Sequence, residues 1–89
     1  MKKTTVVNKN DDPYDIYIGR GSKWGNPFHV GRDGTREEVI DLFEKYARGK
    51  TELLAALHEL EGQRLGCFCK PLACHGDVLV KLLEEKKNG

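Results

Sequence analysis

Hydrophobic residues recur along this chain with two different periods. Tyr14, Ile16 and Ile18 alternate with Asp15, Tyr17 and Gly19, the period of two of a half-buried strand. The β-branched stretch Thr4-Thr5-Val6-Val7-Asn8 predicts another short strand before it. Residues 9–13 between them are polar, end in Asp-Asp-Pro and read as a turn. Further on the period changes. Val39, Leu42, Phe43, Tyr46 and Ala47 stand at i, i+3, i+4, i+7 and i+8, one apolar stripe of an amphipathic helix. Thr35 is its expected N-cap, with Glu38 as the capping-box partner three residues on. Gly49 is its expected stop. A second helix is predicted from Thr51 to Gly62, carrying Leu53, Leu54, Leu57 and Leu60. Residues 64–69 predict a strand whose large apolar residues are Leu65 and Phe68, broken by Pro71. A third helix starts near Gly76-Asp77, with Leu79, Leu82 and Leu83 on its core side. Lys81, Lys86 and Lys87 lie toward its C-terminus, where the helix dipole favours cations.

This order predicts a single small α/β domain over residues 1–89: a short, mostly parallel or mixed β-sheet with about three helices packed on it. Two loops, 19–31 and 69–76, each follow a strand. If those strands are parallel neighbours, the loops share the carboxyl edge of the sheet, where ligands gather in such folds.

Composition narrows the classes. The chain has 89 residues, 38% hydrophobic and 33% charged, as an ordinary globular domain does. Fifteen basic residues against fourteen acidic give a net charge of +1, which disfavours nonspecific nucleic-acid binding built on counterion release. No apolar run approaches the ~20 residues of a membrane helix. The basic start, Met1 to Val7, has no long apolar stretch behind it, so a cytoplasmic location and no membrane partner are expected. A domain this short buries only about 60–65% of its unfolded surface, so a metal or a homodimer contact would help its thin core. The charges at Glu37, Glu38, Asp41, Glu44, Lys45 and residues 84–87 fall on outer helix faces and are expected only to solvate them.

Two constellations carry candidate chemistry. The first is Cys67-Phe68-Cys69-Lys70-Pro71-Leu72-Ala73-Cys74-His75-Gly76-Asp77. Three cysteines are the wrong count for a secreted disulfide framework. Cys67, Cys69, Cys74 and His75 are candidate zinc ligands, which would make the chain a zinc-stabilised module binding protein or nucleic acid. Against this, one residue separates Cys67 from Cys69, whereas structural zinc sites place about two to four there. The other reading is a reactive thiol before a helix N-terminus, where backbone N–H groups and the dipole attract anions and lower a thiol's pKa. Cys69 and Cys74 are then candidate nucleophiles and His75 a base or an anion contact, with Gly76 and Asp77 at the helix start as ligand contacts. For Cys67 the plainer role, a small core hydrophobe, is favoured.

The second constellation is Arg20, Ser22, Lys23, Trp24, Asn26 and His29 in a glycine-rich loop. Arg20 and Lys23 suit a phosphate. Trp24 offers a stacking face or pocket wall, and Asn26 a paired donor and acceptor. Trp24 and Phe28 serve equally well as plugs of a thin core. Together the loops point to a pocket for a phosphate-bearing small molecule, most plausibly a nucleotide or nucleoside derivative. An enzyme and a sponge that sequesters the nucleotide without turnover would use the same residues.

The stretches Tyr17 to Phe28 and Gly66 to Leu79 resemble the family catalogued as domain of unknown function 4326, a small domain of phages and bacteria. The likeness covers nearly the whole chain. The family usually reads Gly-Cys-Trp-Cys where this chain has Gly66-Cys67-Phe68-Cys69. The resemblance implies a compact α/β domain, an intracellular and often phage-encoded setting, and a site built from these two motifs.

Overall fold

A computed structural model describes residues 3–68 and 74–88. Three strands, β1 (Thr5–Asn8), β2 (Ile16–Tyr17) and β3 (Arg64–Cys67), form one sheet in the order β1-β3-β2, and both pairings are parallel. Three helices, α1 (Arg36–Arg48), α2 (Thr51–Ala56) and α3 (His75–Asn88), complete the α/β domain, with a 3-10 turn at Leu57–Leu60. Val6 and Ile16 flank Leu65 from either side.

The two faces of the sheet are covered differently. Leu65 and Cys67 point to the helical side and are fully buried. There they join Ile18, Phe43, Leu57 and Leu79 in the core. Gly76 of α3 approaches so closely that a Cβ would stand 2.8 Å from Ile18 Cδ1 and 3.0 Å from Val6 Cγ1. Gly66 faces the other way, under Tyr14. A Cβ on Gly66 would lie 2.6 Å from Tyr14 Cγ. This vacancy explains the topology. Parallel strands need a crossover of about a dozen residues or more, yet residues 9–15 carry the chain from β1 across β3 to β2. A two-residue β2 and a missing side chain at the crossing make so short a passage feasible. Asp15 then locks its far end by pairing with the backbone N–H and guanidinium of Arg64.

The first helix follows its pattern. Thr35 and Glu38 form the reciprocal capping box, and Val39, Phe43 and Ala47 are buried. Gly49 ends the helix at φ −88°, a conformation open to any residue. The second helix is shorter than its pattern. It tightens after Ala56 into the 3-10 turn, whose three-residue period aligns Leu57 and Leu60 on one buried line. Thr4 clamps this turn, donating to the Leu60 carbonyl at 2.8 Å and accepting from Gly62 N–H at 3.0 Å.

Two expectations are corrected at the last strand and helix. β3 ends at Cys67, so Phe68 is not a core residue but is 57% exposed, edge-on to Tyr17 and beneath the Lys9 ammonium. α3 starts at His75, one residue early, because Cys74 acts as its cap. Leu79, Leu82 and Leu83 are buried as the pattern requires. Some outer charges do more than solvate: Glu44 pairs with Arg48 and Lys81, and Arg48 with Glu85, joining α1 to α3.

Candidate functional site

Because β2 and β3 run parallel as neighbours, the loops after them meet at one edge of the sheet. They enclose a cleft of about 340 Å³. Its walls come from Gly19, Arg20, Asn26 and residues 28–30 of the glycine-rich loop, the first two turns of α1, Cys67 at the end of β3 and Phe68 after it, and Cys74-His75. The strongest joint between the loops is His75 Nε2 to the Ile18 carbonyl, 2.7 Å.

His75 is buried, and burial lowers its pKa below the ordinary value of 6.5 against the raising effect of the Ile18 and Trp24 carbonyls. The ring is therefore neutral near pH 7. A carbonyl can only accept, so Nε2 carries the proton and Nδ1 turns a lone pair toward Cys74 Sγ, 3.7 Å away. Cys74 caps α3 with its sulfur, which accepts Gly76 N–H at 3.2 Å. Asp77 Oδ2 returns the favour by accepting Cys74 N–H, also at 3.2 Å. This is a reciprocal cap akin to a capping box, with a thiol in the place of serine and the second rather than the third helical amide as its donor. Cys67 Sγ lies 3.1 Å from Cys74 Sγ.

On the opposite wall Arg20 reaches His29 Nε2 at 3.1 Å and the Asn26 carbonyl at 3.4 Å with one nitrogen. Arginine only donates, so His29 Nε2 is the acceptor of a neutral ring. Desolvation first, then the Arg20 and Arg32 charges, push its pKa below 6.5 despite Asp33. Asp33 accepts the His29 backbone N–H at 2.8 Å and closes the tip of the loop.

Several candidate residues have other duties. Trp24 is 3% exposed and sits in the core. It corrects the expectation of a stacking platform: the ring is a plug of the thin core, with the Lys23 ammonium over it. Lys23 does not line the cleft. Its ammonium pairs with Glu59 at 2.7 Å and lies over the Trp24 ring. Ser22 donates to the Gly19 carbonyl at 2.7 Å and faces a shallower groove on the outer side of the loop. Asn26 does line the cleft, but its amide ties the loop to α1, donating to the Val39 carbonyl and accepting Phe28 N–H. Gly76 and Asp77 spend the groups described above on packing and capping. Cys69 lies outside the described residues. Cys67, Cys74 and His75 adjoin one another, yet among the described residues no group of three or more His, Cys, Asp or Glu side chains is arranged to hold a metal ion.

The site also has members outside the two motifs: Val30, Arg36, Val39 and Ile40. Arg36 left a legible sign. It follows the Thr35 cap directly, so it is a cation in the first turn of a helix, where the dipole favours anions.

A short parallel sheet, covered by helices on one face and carrying a basic cleft at its carboxyl edge, defines the class. The chain belongs to the family described as Domain of unknown function (DUF4326), whose profile matches residues 1–85. It is 45% identical over 83 residues to the "Uncharacterized 12.4 kDa protein in nrdA-td intergenic region" of Enterobacteria phage T4, covering 88% of this chain and 75% of that protein. It is 34% identical over 95 residues to "Uncharacterized protein R718" of Acanthamoeba polyphaga mimivirus, covering 84% and 72%. No solved structure matches. No helix among the described residues is long and apolar enough to cross a membrane.

Proposed function

We propose that this domain binds a phosphate-bearing small molecule, a nucleotide or nucleoside derivative, in the strand-end cleft. One observation carries the reading. The cleft is lined by the cations Arg20 and Arg36, by the neutral rings of His29 and His75 and, among the described residues, by no carboxylate, in a chain whose net charge is only +1. Positive charge is thus concentrated where a ligand would sit, and guanidinium groups match phosphate oxygens with paired donors. Lys23, Arg32, Arg48, Arg64, Lys81 and Lys87 all pair with acidic residues. Arg20 has no acidic partner among the described residues. The N-terminal end of α3 adds its dipole to the same wall. Phe28, Val30, Val39 and Ile40 supply apolar surface for a base or sugar. The volume lies near the small end of ligand pockets, about 300–1,000 Å³, and suits a mononucleotide rather than a dinucleotide. Such a ligand belongs in the cytoplasm.

Calorimetric titration of the domain with inorganic phosphate, ribose 5-phosphate and the nucleoside monophosphates tests this. Binding of a phosphorylated compound, lost at least about tenfold in Arg20→Ala with the melting temperature unchanged, is the expected result. Arg20 is exposed, so its removal should spare the fold. If none of these compounds binds at millimolar concentration, the reading fails. Chromatography of the recovered ligand then separates an enzyme, which alters it, from a sponge, which returns it intact.

A further inference from the structure

We propose that Cys67 and Cys74 are a redox pair on the wall of the cleft, which a hydroperoxide converts into an intramolecular disulfide. Their sulfurs are 3.1 Å apart, so a movement of about 1 Å reaches the covalent distance of about 2.05 Å. Both thiols are only 1% exposed, yet both line the cleft, through which a molecule scarcely larger than water can enter. Each is held by its own element. Cys67 ends β3, and its carbonyl accepts Lys9 N–H at 2.9 Å. Cys74 is fixed by the α3 capping box.

The two thiols are chemically unequal. Cys74 Sγ accepts the Gly76 N–H at the positive end of a 14-residue helix, and this placement stabilises a thiolate. Cys67 stands at a strand end, and among the described residues no backbone N–H donates to its sulfur. Cys74 is therefore the sulfur that attacks. Its thiolate attacks the peroxide, an S–O bond forms as the O–O bond breaks, and the leaving hydroxide or alkoxide takes up the proton released by the Cys74 thiol. Cys74 is now a sulfenic acid, oxidised by two electrons. The Cys67 sulfur then attacks Cys74 Sγ, the S–S bond forms, the S–O bond breaks, and the departing hydroxide takes the Cys67 proton as water. In sum, two thiols and one hydroperoxide give one disulfide and two molecules of water, or one of water and one of alcohol. The product links β3 to α3 and reshapes the cleft wall. An effect on ligand affinity rests on the binding reading above, whereas the disulfide itself does not.

The test oxidises the reduced wild-type chain with hydrogen peroxide, blocks remaining thiols with N-ethylmaleimide and measures intact mass. Three cysteines are present. The expected product has lost two hydrogens and takes one label instead of three, and dithiothreitol restores all three. Peptic cleavage after Phe68 and after Leu72 separates the cysteines, and the peptides bearing Cys67 and Cys74 should remain joined. A folded Cys69→Ser variant should form the same disulfide and take no label. Uptake of three labels after peroxide, a bridge to Cys69, or accumulation of sulfinic acid on Cys74 would each overturn the proposal.

Discussion

The Nε2 nitrogen of His75 stands 2.7 Å from the carbonyl oxygen of Ile18. That bond joins the first turn of α3 to the residue after β2 and so holds the two loops of the cleft together. It requires a proton on Nε2, and burial keeps the ring neutral, in a site where Phe43 meets the imidazole edge-on at 5.0 Å. The unfolded chain protonates this histidine near 6.5, and the folded chain does so at a lower pH. A base with a depressed folded pKa contributes its full stability above the unfolded pKa and loses it as pH falls below that value. The melting temperature should therefore decline between about pH 7 and about pH 5, before most carboxylates titrate. His75→Gln should flatten the decline. His29→Gln should change it less, because His29 is nearer to solvent, although its shift has the same sign. Thermal unfolding across this range decides the matter, and a melting temperature that rises on acidification would contradict a buried neutral His75.

Gly66→Ala should destabilise the domain by about 1–3 kcal/mol, the range for an extra methyl forced into a filled space. Tyr14 Cβ would lie 2.9 Å from the new methyl and Cγ 2.6 Å, so a rotation of the ring alone does not relieve the clash. Tyr14→Ala removes Cγ and should recover part of the loss in the double variant. Denaturant unfolding of the four proteins in the cycle measures the coupling. If the two effects simply add, the crossover does not press on β3 at this position.

These relationships show which parts of the fold the sequence discloses. Val39 to Ala47 and Leu79 to Leu83 repeat with the helical period, so one buried stripe is legible in each. Thr35 and Glu38 disclose the helix start because the capping box is a local chemical pattern. The meeting of the two loops follows from strand-to-loop order, given strands that are parallel neighbours. Long-range duties left no local trace. Phe68 looks like a core residue in any window, but β3 stops one residue before it. Leu57 and Leu60 fit an α-helix as well as a 3-10 turn until Thr4, more than fifty residues away, is seen to clamp the end. Asn26 and Asp77 have structural bonds to a helix carbonyl and a cap that their residue types do not disclose, because the same polar side chains serve loops, caps and ligands. Arg36 stands outside both loop motifs, and its conflict with the helix dipole is the one local sign of its place in the cleft.

Trp24 is the only tryptophan, so fluorescence reports on it alone. At 3% exposure its emission should be blue-shifted from that of a solvated indole, and iodide should quench it several-fold less than it quenches the unfolded chain. Trp24→Ala should cost about 3–5 kcal/mol, as large aromatic truncations in cores do, and Trp24→Phe distinctly less. Strong quenching of the folded protein, or a neutral Trp24→Ala, would return this ring to the cleft as a stacking surface.

The sulfur cap of α3 makes the sharpest distinction between two roles of a buried cysteine. If Cys74 only fills space, alanine and serine should both weaken the domain, and serine more, since it brings a polar group into an apolar site. If its sulfur works as the cap, serine supplies an oxygen that can accept the Gly76 N–H, whereas alanine leaves that donor without its side-chain acceptor. Loss of an N-cap costs about 0.5–2 kcal/mol. Cys74→Ala should therefore be the less stable variant by about 1 kcal/mol. Asp77→Ala, which removes the returning carboxylate, should add less to Cys74→Ala than to the wild type, because the two halves of the box support one helix start. Chemical denaturation of the single and double variants measures both differences. Equal or greater stability of Cys74→Ala over Cys74→Ser would assign the sulfur to packing and remove the field argument that makes Cys74 the more reactive thiol.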